Sequence, residues 1–392
     1  MDRPLPQLGE RARTFSRLTP VTIERVILRE LSMPLKTPFE TSFGREDSHD
    51  FVLVEVAARV NGEVLSGWGE APVMRRPLYS EETVATAWHV LEDFFATFVL
   101  GKTFADPMEV AEALRPFRRH YMAKSALEAA VWDVEARTLG LSLAKLLGGA
   151  KERIPVGVSV GIQKTEADLL RVVEGYLAEG YRRIKVKIKP GYDVEPIATL
   201  RKHFGDIPLM ADANSAYTLA DLPLLKELDA FGLMMIEQPL GHDDIIDHAT
   251  VQRALATPIC LDESIASAED ARKAVELGAC RIINIKVPRV GGLTEALRIH
   301  DLCLNHGVPV WCGGLLESGI GRAQNIAVTT LPGFTLPGDT SGSSRYWRED
   351  IIEPEVTVSV DGYITVPTTP GLGYRPLLNR IERLTLRRRE LA

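Results

Sequence analysis

Five charged residues recur through the middle of this chain at nearly constant spacing: Lys187, Asp212, Glu237, Asp262 and Lys286, with Lys185 two positions ahead of the first. The gaps from Lys187 onward are 25, 25, 25 and 24 residues, and each charge closes a short apolar run. Three carboxylates brought together would repel unless a cation lay among them. Oxygen ligands without His or Cys favour magnesium or manganese over zinc. Taken singly, each acid reads as a helix cap or loop-start residue. Their shared position in the repeat argues against that. Lys185 and Lys187, two apart, point to one face of a strand. Burying two ammonium groups is costly, and their repulsion would move at least one toward general-base duty. Such a set suits removal of a proton alpha to a carboxylate, a metal taking charge from the enediolate. Two opposed lysines permit racemisation, whereas one lysine with the metal suffices for a syn elimination. Both reactions share the first step.

The elements that must position these groups alternate regularly. From Ile154 the segments IPVGVSV, RRIKVKI, PLMADAN, LMMIEQP, TPICLDE, RIINIKV and VPVWCG recur about every 25 residues, with amphipathic stretches between them. That period predicts parallel βα units closing into a barrel, with strand ends gathered at one mouth. The eighth strand is the weakest and is expected near Thr335–Leu336. In an eight-membered ring the second and sixth strands are diametrically opposed, so Lys187 and Lys286 face each other. An open doubly wound sheet is the competing fold, but no GxGxxG follows a strand here.

Ahead of the barrel, VTIERVILREL reads as a strand, PLKTPFETSFGREDSHD as a flexible stretch, and FVLVEVAARV with GEVLSGWGEAPV as a hairpin about Asn61-Gly62. Residues 81–99, 106–119 and Ala123–Leu139 read as helices, the last ending at Gly140. After Ile352, EVTVSVDGYITVP returns to strand and turn. The expected fold class is therefore α/β, a modified TIM barrel (β/α)7β with an N-terminal α+β capping domain. The expected boundaries are a tail at 1–18, the capping domain at 19–150, the barrel at 151–350, and a segment at 351–392 packing back on the capping domain.

The 392 residues are 45% hydrophobic with a formal charge of −7, so a large core is expected and a nucleic-acid partner is not. Cys260, Cys280, Cys303 and Cys312 form no CxxC pair and read as buried thiols of a reduced, cytoplasmic protein. No apolar run approaches the length of a membrane span, and the N-terminus lacks a signal-peptide core.

At these residues the chain resembles the enolase superfamily, in its muconate-lactonising-enzyme-like subgroup. The resemblance is closest to the o-succinylbenzoate synthase / N-succinylamino acid (N-acylamino acid) racemase family. It is carried by the SFG loop at Ser42–Gly44, GWGE at Gly67–Glu70, KVK at Lys185–Lys187 and DAN at Asp212–Asn214. EQP at Glu237–Pro239, DES at Asp262–Ser264, NIKVPRVGG at Asn284–Gly292 and WCGGLLESGIGR at Trp311–Arg322 complete it. The resemblance implies that loops near residues 38–49 close over the barrel mouth. Lys187 and Lys286 would be the acid/base pair, and Lys185 would polarise the substrate carboxylate. Asp212, Glu237 and Asp262 would bind Mg²⁺ or Mn²⁺. Asn214 would brace the metal ligands, and Glu263 would brace Lys286. Phe43, Ser159, Gly313, Gly314, Leu315, Leu316, Glu317 and Arg289 would shape the substrate side. Arg289 resembles the arginine of racemase-capable members. It tilts the expectation toward an N-succinylamino acid racemase that also makes o-succinylbenzoate. The substrate would be a succinyl- or acyl-bearing carboxylate, and the enzyme a homo-oligomer, dimer to octamer.

The alternatives are a dedicated o-succinylbenzoate synthase of menaquinone biosynthesis, a dipeptide epimerase and a muconate cycloisomerase. An epimerase pocket of this kind carries an acidic DxD-type pair near the eighth strand, where this chain has only Asp339. A metal hydrolase would call for histidine ligands, and none of the 8 histidines falls at a clear strand end. A non-catalytic barrel would have no reason to keep opposed lysines around three carboxylates.

Overall fold

The computed structural model describes residues 14–40 and 44–392. Phe43, most of the Ser42–Gly44 loop, and the tail through residue 13 lie outside the described residues.

Three strands, β1 (Val21–Glu40), β2 (Arg45–Val60) and β3 (Glu63–Ala71), form an antiparallel meander at the N-terminal end. The β2–β3 turn is built on Asn61 and Gly62, both at positive φ, as a two-residue hairpin requires. The apolar run of β2 serves two cores. Val52, Val54 and Val56 pack toward helix α1 (Tyr121–Thr138), whereas Phe51 and Leu53 face the barrel side. A strand covered on both faces needs apolar residues at successive positions, not alternation.

The stretch expected to be flexible is largely strand. β1 continues to Glu40, and Phe39 and Glu40 pair with Glu46 and Arg45 after a register irregularity. This arm rests on the barrel: Lys36 N donates to Tyr346 O at 2.7 Å, and Ile162 N donates to Glu40 O at 3.3 Å. A Cβ on Gly161 would lie 2.7 Å from Glu40 O, so glycine is what lets the arm approach.

The barrel strands are β4 (Val158–Val160), β5 (Ile184–Lys187), β6 (Leu209–Asp212), β7 (Ile236–Glu237), β8 (Ile259–Leu261), β9 (Ile282–Ile285) and β10 (Val310–Cys312). They lie side by side in chain order, all parallel. The first predicted segment splits: Arg153–Pro155 pairs instead with Tyr363–Thr365, and only Val158–Val160 enters the barrel. The eighth segment is not a regular strand. Residues 333–339 bridge both edges of the sheet, Val310 to Phe334 and Val156 to Gly338. Pro337 has no N–H to give a ladder, so the seam is held by isolated bonds such as Asp339 N to Cys312 O, 2.8 Å. The chain end returns to the capping sheet, where β11 (Thr385–Leu391) pairs antiparallel with β1.

Buried acids of the capping layer clasp the barrel helices. Glu128, in the middle of α1, accepts from Leu293 N at 2.7 Å and Thr294 N at 2.9 Å, the start of helix α2 (Leu293–Asn305). Gly292, at φ +131°, leaves room for it, since a Cβ there would lie 1.7 Å from Glu128 Oε2. Glu70 accepts from Ser318 N at 2.9 Å and Gly321 N at 3.0 Å, opening helix α3 (Gly319–Thr329). The GWGE motif is thus structural. Its two glycines let β3 press on α1, where Cβ atoms would meet Ala130 O and Ala126 O, and its glutamate caps α3. Glu128→Ala should cost about 2–4 kcal/mol, because two buried helix N–H groups and Trp132 Nε1 lose their acceptor. Urea unfolding would check this; a loss under about 0.5 kcal/mol would mean water replaces the carboxylate.

All four cysteines are free and buried. Among the described residues no helix is long and apolar enough to cross a membrane.

Candidate active site

The strand ends carry the charges, and the register sets their heights. Lys187 pairs with Asp212, and Asp212 with Glu237, so these three are level across β5, β6 and β7. Glu237 then pairs with Cys260, so Asp262 stands two residues beyond that level, despite the equal spacing in sequence. Leu261 pairs with Ile283, which puts Lys286 a further two residues on. Equal spacing therefore reports equal height only over the first three groups. The stagger that closes a tilted barrel displaces the others.

Lys185 and Lys187 both turn into the barrel and are 2% and 6% exposed. Lys187 Nζ lies 2.6 Å from Asp212 Oδ2 and donates to Asn214 Oδ1 at 2.6 Å. Lys185 Nζ lies 3.0 Å from Glu237 Oε2, 3.1 Å from Asp212 Oδ2 and 2.7 Å from Asp339 Oδ2. Burial pulls Lys187 below the ordinary lysine range; Asp212 opposes this, and repulsion from Lys185 adds to it. Lys185 is buried too, but Asp339, Glu237 and Asp212 together overcome that and hold it above the ordinary range. Two neighbouring lysines are thereby driven apart, mainly by burial and by their carboxylate partners.

Lys286, just past β9, sits 2.8 Å from Asp262 Oδ2 and donates to Tyr79 Oη at 2.9 Å. Burial would lower it, but Tyr79, Glu263 and Glu237 outweigh that and hold it above the ordinary lysine range. Asn284 fixes the orientation of Glu237 by donating to Oε1 at 2.6 Å, and it accepts from Gly313 N at 2.8 Å. Asn214 Nδ2 donates to Glu263 Oε1 at 2.9 Å, so Glu263 reaches Lys187 through Asn214 while acting on Lys286 only through its charge.

Asp212, Glu237 and Asp262 rim the mouth from neighbouring strands, each turned to a cation. Asp262 meets Lys286 and Arg289, and the other two share Lys185. Among the described residues no group of three acid, His or Cys side chains converges to hold an ion. The chemistry of the donor set still fits a hard divalent cation. It consists of three buried carboxylates with no nitrogen or sulfur donor, and four cationic side chains already gather there.

The lysines enclose a cavity whose space for a water-sized molecule is about 50 Å³. Ser159, Gly314, Leu315 and Leu316 line it from the barrel, and Phe39, Glu46, Met74 and Tyr79 from the capping layer. Small-molecule sites usually offer about 300 Å³ or more, so admitting a substrate requires the capping arm or the Tyr79 loop to move. A larger hollow of about 420 Å³ is lined by Tyr79, Glu263 and Arg289, and one of about 670 Å³ by Tyr121, Glu128 and Arg298; neither is lined by Lys185, Lys187 or Lys286.

The other expected substrate residues divide. Ser159 Oγ is buried without a hydrogen-bond partner among the described residues, and Ser159 lines the cavity. Gly313 stands behind it, where a Cβ would lie 2.5 Å from Asn284 Nδ2 and 2.6 Å from Lys286 Cε. Glu317 turns away and accepts from Asn325 Nδ2 at 2.9 Å. Arg289 is buried against Asp262, Ile265 O and Asn284 O, which places its guanidinium behind Asp262. Sequence reasoning missed Tyr79, Asn284 and Arg183, and left Asp339 without a role. Arg183 shares the parity of Lys185 and Lys187, a signal that was there to read. Tyr79 sits in a loop without periodicity and gave none.

Two family models together span most of the chain. Residues 23–148 match the mandelate racemase / muconate lactonizing enzyme N-terminal domain, and residues 168–379 match the enolase C-terminal domain-like family. The chain is 59% identical to an o-succinylbenzoate synthase of Geobacillus kaustophilus over 365 residues, 93% of this chain and 96% of that protein. It is 51% identical to an N-succinylamino acid racemase of Thermus thermophilus over 370 residues, 94% and 99% of the two chains. A solved enolase-superfamily member from Listeria innocua superposes with a TM-score of 0.91 at 41% identity, covering 95% of this chain and 99% of that one.

Proposed function

This chain belongs to the enolase superfamily, in its muconate-lactonising-enzyme-like subgroup, and on that footing we propose that it is an o-succinylbenzoate synthase. The observation that carries the reading is the cavity flanked by Lys187 on the second barrel strand and Lys286 past the sixth, with Lys185 also lining it and held against Asp212 and Glu237. Relatives named o-succinylbenzoate synthase reach 59% identity, against 51% for those named racemase.

A precursor that becomes an ortho-substituted benzoate by losing water carries a hydroxyl beta to its ring carboxylate. Lys187, the lysine that burial brings closest to neutrality, takes the alpha proton, and the C–H electron pair moves into the enediolate. Lys185 sits beside the substrate carboxylate, and Lys286 faces the ring from across the cavity as a cation. The enediolate then collapses, the C–O bond to the hydroxyl breaks, and the proton from Lys187 leaves with it as water. Asp212, Glu237 and Asp262 would hold Mg²⁺ or Mn²⁺, which when bound supplies Lewis-acid stabilisation of the carboxylate oxygens. Asn214 keeps Lys187 aimed, and the capping arm excludes water.

A second reading, N-succinylamino acid racemisation, is favoured by the presence of a lysine on each side of the cavity. Dipeptide epimerisation is disfavoured. Asp339, the acid that would meet a substrate ammonium, already bridges Lys185 and Arg183. The test is to give the Mg²⁺-loaded protein the hydroxylated precursor, and separately N-succinyl-L-phenylalanine in D₂O. Rapid formation of the aromatic product, faster than deuterium enters the amino acid, is expected. Deuterium exchange with no aromatic product would replace the first reading by the second. Neither reaction would remove both.

A further inference from the structure

Arg183, Lys185 and Lys187 alternate along and just ahead of β5, so all three side chains enter the barrel interior in a column. Arg183 is 1% exposed. Its guanidinium lies over the Trp311 ring, 4.8 Å from the centroid, and donates to Pro337 O at 2.9 Å. A Cβ on Gly157 would lie 2.6 Å from the guanidinium carbon, so the backbone there is open for it. Between Arg183 and Lys185 stands one carboxylate, that of Asp339. Its Oδ1 is 2.8 Å from Arg183 Nη2, and its Oδ2 is 2.7 Å from Lys185 Nζ. That contact is the shortest that Lys185 makes with any carboxylate. Asp339 comes from the irregular segment that closes the barrel and is itself fixed by its backbone bond to Cys312 O.

We propose that Asp339 is a positioning residue: it holds the Lys185 ammonium where the substrate carboxylate must bind, with Arg183 as its fixed anchor. The lysine stem has four rotatable carbons and no preferred direction of its own. Of the three carboxylates around Lys185, Asp212 and Glu237 belong to the set assigned to the metal, whereas Asp339 does not. Lys185 therefore keeps one carboxylate partner outside the set assigned to the metal, shared with Arg183 alone among the cations around it. Arg183, stacked and bonded at the closed end of the column, prevents Asp339 from swinging toward the mouth. The inference rests on the reading of Lys185 as the group that meets the substrate carboxylate. Because that carboxylate is common to dehydration and racemisation, Asp339 should matter equally to both.

Asp339→Asn keeps the shape and removes the charge. Its kcat should fall about 10²-fold, by the same factor for the hydroxylated precursor and for N-succinyl-L-phenylalanine, as expected of a reacting group misplaced by about 1 Å. KM should change far less, and the thermal midpoint should stay within a few degrees. Asp339→Glu should recover part of the loss, and it also serves if Asp339→Asn does not fold. A kcat within about threefold of wild type would overturn the proposal. So would a loss confined to one substrate, since Asp339 would then be touching that substrate. A crystal structure of the variant reads the position directly: Lys185 Nζ should leave its place between Asp212 and Glu237, and finding it unmoved would overturn the proposal. That readout holds even if wild-type protein turns over neither substrate, in which case the proposed function alone fails.

Discussion

Lys187→Met is expected to lower precursor dehydration by about 10³-fold or more, within the range by which a positioned general base accelerates proton transfer. Methionine keeps the length and apolar stem and removes only the nitrogen, which here contacts Asp212 and Asn214. Leaving Asp212 short of a cation will also destabilise the fold, so the thermal midpoint should be followed beside the rate. Stereochemistry separates the two lysines. With N-succinyl-phenylalanine in D₂O, Lys187→Met should abolish alpha-deuterium uptake from one enantiomer and spare some from the other, and Lys286→Met should do the reverse. Equal loss from both enantiomers in both variants would mean that the lysines act as one electrostatic unit. Unchanged dehydration in Lys187→Met would remove it as the base.

The second large effect concerns the carboxylates. Dialysis against a chelator should reduce kcat by about 10³-fold, close to 4 kcal/mol of transition-state stabilisation, and Mg²⁺ or Mn²⁺ should restore it. Asp212, Glu237 and Asp262 are each within 1% of full burial. A bound dication would add to the charge that Lys185, Lys286 and Arg289 now supply to them. Binding to the folded state alone should also raise the thermal midpoint as Mg²⁺ is titrated. Glu237→Gln should lose that rise, which gives a readout independent of turnover. Full activity after exhaustive chelation, with no Mg²⁺-dependent shift in midpoint, would contradict the metal assignment.

Much of this protein could be read from residue spacing. The period of about 25 residues identified all seven barrel strands, because a strand, a helix and two short loops have nearly constant length in a parallel βα unit. Parity placed Lys185 and Lys187 on one face, because strand side chains alternate by a local rule that tertiary structure does not alter. The turn at Asn61-Gly62 likewise followed from what those two residues allow in their own backbone. These properties are set within a few residues of chain, so sequence alone determined them, along with the identities of the groups at the barrel mouth.

Tertiary structure decided which distant groups meet. Tyr79 reaches Lys286 from a loop of the capping layer, and Asp339 reaches Lys185 across the closing seam. Glu128 caps a helix that begins more than 160 residues later. The arm through Glu40 became strand because the barrel surface gave it a place to rest, and Arg289 turned behind Asp262 because buried acceptors awaited it there. Barrel stagger, which belongs to ring closure and not to any one strand, set Asp262 and Lys286 beyond the level of Glu237. Contacts of this kind have no period and no local signature, since their energy arises only once two remote segments share a buried, low-dielectric space.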